Sequence, residues 1–136
     1  MSSKDSSFVH LHVHTEFSLL DGAIRIPQLI EHCVENNISS VAMTDNGVMY
    51  GMIDFYYQAK AKGLKPILGC EVYLTDDMAE KTRGLDRLIL LCKNNNGYEN
   101  LSKLVSRSHI EGFYYKPRVD YKCLEAYSDG LIAIIP

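Results

Sequence analysis

In FVHLHVH (residues 8–14) every second side chain is apolar: Val9, Leu11 and Val13 fall on one side, with Phe8, His10, His12 and His14 on the other. That period predicts a strand. The spacing then lengthens. Ile26, Leu29, Ile30, Cys33 and Val34 recur at three and four residues after a Pro27 suited to a first turn, so a helix is expected, ending at Asn36-Asn37. SSVAM (39–43) reads as a buried strand. It is followed by the loop TDNGVMYG and a helix whose inner face carries Ile53, Tyr56 and Ala59, closed by Gly63. KPILGCEVYLT (65–75) is dense in strand formers, TDDMAEKTRG is polar and loop-like, and LILLCK (88–93) gives a fourth strand. NNNG turns the chain into a helix marked by Tyr98, Leu101, Leu104 and Val105, and GLIAII reads as a last buried strand. There is no internal repeat and no low-complexity linker.

Strands alternating with helices indicate a mostly parallel α/β architecture, in which ligands collect at the carboxyl ends of strands. The polar residues of interest fall there. His12 and His14 end the first strand, Asp45 and Asn46 follow the second, Glu71 lies on the third, and Arg87 precedes the fourth. About five strands are too few to close a barrel, so a barrel would need strands from beyond Pro136 or from a partner.

Composition narrows the class. With 46% apolar and 23% charged residues, the 136-residue chain has the make-up of a soluble globular protein. Residues 1–7 are polar and expected to form a disordered tail, leaving 8–136 as one domain unit. Four dispersed cysteines without a C-x-x-C pair argue against a disulfide framework or a thiolate zinc site and fit a reducing cytoplasm. No apolar run is long enough for a membrane span, and the polar start is unlike a signal peptide. A formal charge of −3 lacks the signature of an independent nucleic-acid binder. Its distribution is uneven: residues 1–80 hold 5 Lys/Arg against 11 Asp/Glu, and 81–122 hold 9 against 4. Such an imbalance marks either a phosphate-facing surface or an ordinary solvated face.

The histidines bring the chemistry. Two imidazoles at i and i+2 on a strand face the same way, about 6–7 Å apart, which suits ligands to one metal or to neighbouring metals. Asp21 and Glu71 add oxygen donors, and mixed N/O ligation suits Zn, Mn or Fe. The competing reading is a polar strand that carries surface histidines. Ser18 has no G-x-S-x-G elbow to make it a nucleophile, and neither a P-loop nor a G-x-G-x-x-G cradle is present. His32 and His109 sit among helix residues, where surface or capping roles are commoner than ligation. Tyr114 and Tyr115 beside Lys116 and Arg118 could stack on bases, although an aromatic pair ahead of Lys-Pro more often serves packing.

Read in order, HLHVHTEFSLLDG, VAMTDNGVMYG, KPILGCEVYLT, LLCKNNNGYENL and EGFYYKPRVD resemble the amino-terminal PHP domain of bacterial DNA polymerase III alpha subunits, from about Phe8 to Pro136. The resemblance implies an α/β fold, a distorted seven-strand β/α barrel of which this chain would be the amino-terminal part, with up to three metals at its mouth. By position, His12, His14, Asp21 and Glu71 match metal ligands, with Zn or Mn as the cofactor. His10 and Asp45 stand behind that set. Two positions depart from the family pattern: Asn46 replaces the histidine of T-D-H-G, and Arg87 replaces the histidine ahead of the fourth strand. Asn offers a neutral oxygen and Arg no lone pair, while the guanidinium can pair with Glu71 in the vacated space.

The implied function is DNA replication: a mainly structural PHP module of a cytoplasmic replicative polymerase, with a partly degenerate metal site. The implied partners are the rest of the alpha subunit, DNA through the intact polymerase, and other replisome subunits, with no membrane. Polymerisation, a nucleotidyl transfer, would belong to the parent, since these residues supply no palm carboxylates. An active 3′-5′ exonuclease or phosphoesterase is the alternative, and a stand-alone phosphatase of small phosphate monoesters a second.

Overall fold

The structure is a computed structural model and describes residues 8–136; the expected tail at 1–7 lies outside the described residues. Its elements are α1 (Ile26–Glu35), β1 (Ser40–Asn46), α2 (Met52–Ala61), β2 (Lys65–Thr75), β3 (Asp86–Cys92), α3 (Asn95–Ile110), β4 (Arg118–Asp120), α4 (Tyr121–Ala126) and β5 (Leu131–Ile134). The expected helices at α1 and α3 form where periodicity put them. Pro27 stands in the first turn of α1, and the Asn94 side chain caps α3 by accepting from the Gly97 amide at 2.9 Å. Gly63, at φ +75, closes α2 in the left-handed conformation that suits glycine.

The inner face of α2 differs from expectation. Met52, Phe55 and Ala59 are buried there, whereas Ile53 and Tyr56 are exposed. Both triplets have helical spacing, and the core selected the one that seats the Phe55 ring between α1 and β1. Val34 of α1 is likewise exposed.

β1, β2, β3 and β5 are neighbours in that order, and β4 also pairs with β2. β1 runs parallel along residues 65–71 of β2, and β4 parallel along 73–75. β3 pairs antiparallel with β2 and with β5. The sheet is therefore mixed, not mostly parallel. The cause lies in residues 76–85: the β2–β3 connection holds no helix and is shorter than the dozen or more residues a parallel crossover needs.

All four helices cover one face of the sheet. Val41 and Met43 of β1 meet α1 and α2 in one cluster, and Cys70, Val72, Leu74 and Leu90 meet α3, Val119 and Cys123 in a second. The opposite face carries a thinner apolar layer of Ala42, Ile89 and Leu91 with Ile67 and Ile134, and then turns polar at Asn46 and Glu71.

Residues 8–14 are extended but do not form a full strand. They run parallel to β1 through one bridge, His10 to Val41. The Ala42 amide donates to the His10 carbonyl at 2.9 Å and the Thr44 amide to the Val13 carbonyl at 2.9 Å. Acceptors thus advance three residues while donors advance two, which is a bulge. The Thr44 hydroxyl fills the gap by accepting from the Val13 amide at 2.9 Å.

Candidate metal centre

Glu71 is the floor of the site. It lies on the polar face of β2, opposite Asn46 of β1 and Ile89 of β3, and its side chain is fully buried. The bulged segment brings two imidazoles to it. His14 Nε2 is 2.5 Å and His12 Nε2 2.8 Å from the same oxygen, Oε2, and the two Nε2 atoms are 3.2 Å apart. The ring tips therefore converge far more closely than the side chains of a regular strand would, because the rings meet edge to face with centroids 4.9 Å apart. Burial pushes the Glu71 carboxyl up, but the hydrogen bonds and charges of His12 and His14 outweigh it and hold the group below the usual carboxylate range.

The turn after His14 is fixed by Asp45. This fully buried carboxylate accepts from the Thr15 amide at 2.5 Å, the Thr15 hydroxyl at 2.7 Å and the Ser18 hydroxyl at 2.7 Å. Ser18 in turn accepts from the Asn46 amide at 3.1 Å. Its oxygen is thus committed to structure, as the missing nucleophile elbow implied. Sequence reasoning overlooked Thr15 entirely. The available signal was two small hydroxyl residues following the histidine pair, a common way to satisfy a buried carboxylate.

Of the four expected ligands, three come together: His12, His14 and Glu71. Asp21 accepts instead from the Asn46 side-chain amide at 2.9 Å. His10 turns to Phe8, edge to face at 4.7 Å. Arg87 makes the anticipated ion pair, with Nη1 3.5 Å from Glu71 Oε1, although that oxygen has no hydrogen-bond partner among the described residues. His32 stays on the surface of α1 beside Asn36. His109 Nε2 donates to the Gly47 carbonyl at 2.7 Å and ties α3 to the loop after β1. Neither joins the site.

Two imidazole nitrogens and a carboxylate oxygen form an N/O set of the kind Zn or Mn takes, and two buried oxygens nearby, Glu71 Oε1 and Asn46 Oδ1, have no hydrogen-bond partner among the described residues. The residues fit one divalent ion with an open side, since His12 is 40% exposed at its side chain. Asn46 is paired with Glu71 across β1 and β2, and Arg87 lies beside Glu71 Oε1. His12, Glu71 and Arg87 line an open cleft of about 740 Å³.

The sequence profile of the PHP domain matches residues 10–136. Among curated relatives, DNA polymerase III subunit alpha of Borreliella burgdorferi is 50% identical over 93% of this chain, and that of Campylobacter jejuni 52% over 93%. The same subunit of Thermus aquaticus is 43% identical, again over 93%. The chain spans only 11–12% of the length of these relatives. Two solved structures share its fold. A Bifidobacterium adolescentis protein assigned as a metal-dependent phosphoesterase superposes at TM-score 0.57 and 20% identity over 75% of this chain and 33% of its own. An amidohydrolase from Chromobacterium violaceum, bound to sulfate and without metal, superposes at 0.53 and 19% over 75% of this chain and 36% of its own. No helix of the described residues is long and apolar enough to cross a membrane. Together, the matched residues, the mixed α/β sheet and the His-x-His segment above a strand glutamate show that the chain belongs to the PHP domain family.

Proposed function

We propose that this chain is the PHP portion of a bacterial replicative DNA polymerase alpha subunit, acting in the cytoplasm as a mainly structural module with a degenerate metal site. The relatives' shared name supports the parent's identity, and with it DNA-directed polymerisation elsewhere in the parent, with DNA and the replisome as partners. One observation carries the structural reading: the Arg87 guanidinium lies 3.5 Å from Glu71 Oε1, so a fixed positive charge stands beside the carboxylate that a cation would need. Like charge at that distance weakens divalent binding.

The second reading, a metal-dependent phosphoesterase or 3′-5′ exonuclease, draws on the open His12–His14–Glu71 set. A divalent ion bound there would lower the pKa of a water and polarise a phosphoester oxygen. Within the chain, Glu71 orients both imidazoles, Asp45 holds the turn that carries His14, and Asn46 keeps Asp21 aside.

Metal analysis of the intact parent subunit separates the readings. A structural module is expected to hold well under one Zn or Mn per chain, to release no nucleotide from a DNA 3′ end with either metal added, and to gain metal in an Asn46→His/Arg87→His variant. Stoichiometric metal in the wild type, lost together with nucleotide release in His12→Ala, would overturn it.

A further inference from the structure

We propose that a second pocket, walled by Tyr73, Arg83, Arg87, Tyr114, Tyr115 and Lys116, binds single-stranded nucleic acid. Its volume is about 380 Å³, within the range of small-ligand sites, and among the described residues no carboxylate lines it.

The pocket is built by a buried cation that does not line it. Arg118 is 2% exposed and donates to the carbonyls of Gly112 at 2.7 Å, Glu80 at 2.7 Å, Met78 at 2.8 Å and Thr82 at 3.3 Å. It ties the loop between β2 and β3 to the turn ahead of β4. Arg118 itself is enclosed, its guanidinium among main-chain oxygens and 5.5 Å from the centre of the Tyr114 ring. What the tie delivers is Arg83, whose guanidinium carbon lies 3.8 Å from the centre of the Tyr115 ring. Tyr114 meets the same ring edge to face at 4.8 Å, and Lys116 Nζ lies 5.4 Å from the centre of the Tyr73 ring. Arg87 is the direct cross-strand partner of Tyr73, which puts both on one face of the sheet.

Tyr115 argues that this arrangement is for binding. Its φ is +60, a left-handed conformation rare for a bulky side chain, and the residue remains 62% exposed even with Arg83 over its ring. The conformation is held in a turn closed by the Tyr114 amide donating to the Lys116 carbonyl at 3.0 Å, and it presents to solvent a ring that Arg83 and Tyr114 contact in part; strain of this kind clusters at ligand sites. Tyr73 is buried and Tyr114 half-buried, so the exposed ring is that of Tyr115; an exposed tyrosine with Arg83, Arg87 and Lys116 around it is the chemistry that stacks a base and neutralises phosphates. An acidic peptide would use the cations but leave the ring idle. Arg87 also lines the cleft that holds His12 and Glu71, so the two pockets adjoin at one shared cation.

This inference goes beyond the proposed function and does not require a bound metal. The test uses the intact parent subunit in EDTA with a short single-stranded oligonucleotide carrying 5-iododeoxyuridine, irradiated and mapped by peptide mass spectrometry. The expected result is cross-linking within the Tyr114–Tyr115 peptide, reduced roughly tenfold in Tyr115→Asn, because Asn tolerates the left-handed backbone while removing the ring. An Arg83→Gln/Lys116→Gln variant should lower cross-linking and flatten its dependence on salt. Circular dichroism identical to wild type separates loss of the site from loss of fold. Cross-links confined to other peptides, insensitivity to Tyr115→Asn, or displacement by a poly-glutamate peptide at lower concentration than by unlabelled oligonucleotide would overturn the proposal. Because metal is absent throughout, these outcomes are independent of the metal analysis above.

Discussion

On the helix side of the sheet, Val41, Met43, Cys70, Val72 and Leu90 are sealed by α1, α2 and α3; on the other side, the same strands turn polar within two residues. Both buried side-chain oxygens without a hydrogen-bond partner among the described residues, on Asn46 and Glu71, belong to that second side and to paired positions of β1 and β2. The first face gains from apolar burial and close packing. The second bears the cost of dehydrated acceptors, and clusters there the groups with chemistry. The difference locates function physically: the sheet is stabilised on one side and kept unsatisfied on the other.

The comparison can be broken first at the helix side. Phe55→Ala, at a fully buried ring, should destabilise the protein by about 3–5 kcal/mol in denaturant unfolding. A loss under about 1 kcal/mol would mean that this face is not the main source of stability. Asp45→Asn comes next, at about 2–3 kcal/mol, since an amide nitrogen would confront donors on Thr15 and Ser18. Unlike Phe55→Ala, it should also loosen His14, visible as a changed imidazole resonance by NMR.

A smaller effect is confined to alkaline pH. Burial pushes the Cys70 thiol up to about 12, above its ordinary value near 9. A group whose pKa is raised by folding contributes fully below the unfolded value and loses that contribution as pH rises from about 9 toward 12. Cys70 should therefore resist iodoacetamide at pH 8 in the folded protein and react once unfolded; labelling at equal rates in both states would contradict its burial. The smallest effect is expected from Arg87→Ala. This side chain is 61% exposed, so thermal stability should shift by less than about 1 kcal/mol, while affinity for added Zn or Mn rises. Unchanged affinity would remove the guanidinium from the account of the degenerate site.

Much of this was legible in the residues. The limits of β2 follow from its run of strand formers between the turn at Gly63 and the acidic Asp76-Asp77, and α1 from Pro27 and its apolar spacing. β4 and α4 went unseen because three residues carry no period and six barely one turn. The antiparallel β3 was readable from the short, helix-free loop before it, had loop length been weighed against the alternation of elements. At the site, the His12–His14–Glu71 convergence was within reach, since side-chain type and strand end both pointed there. The hydrogen bond between Asp21 and Asn46 was not: it depends on how a loop folds back across β1, which spacing does not encode. Nor was the bulge, a one-residue slip in register that only the backbone hydrogen bonds reveal.

Arg118 imposes one more condition on the chain. Because every hydrogen bond it donates ends on a main-chain oxygen, the spacing of residues 78, 80 and 82 matters to it more than their identities, although Met78 also packs on the second core cluster and the Thr82 hydroxyl lies 3.4 Å from that of Thr75. A replacement of the exposed Glu80 leaves the cage standing; the removal of one residue withdraws an oxygen from an enclosed cation. Tolerance to substitution and intolerance to deletion should therefore coexist within the same few positions, a signature that a library of loop variants scored for soluble yield would read directly.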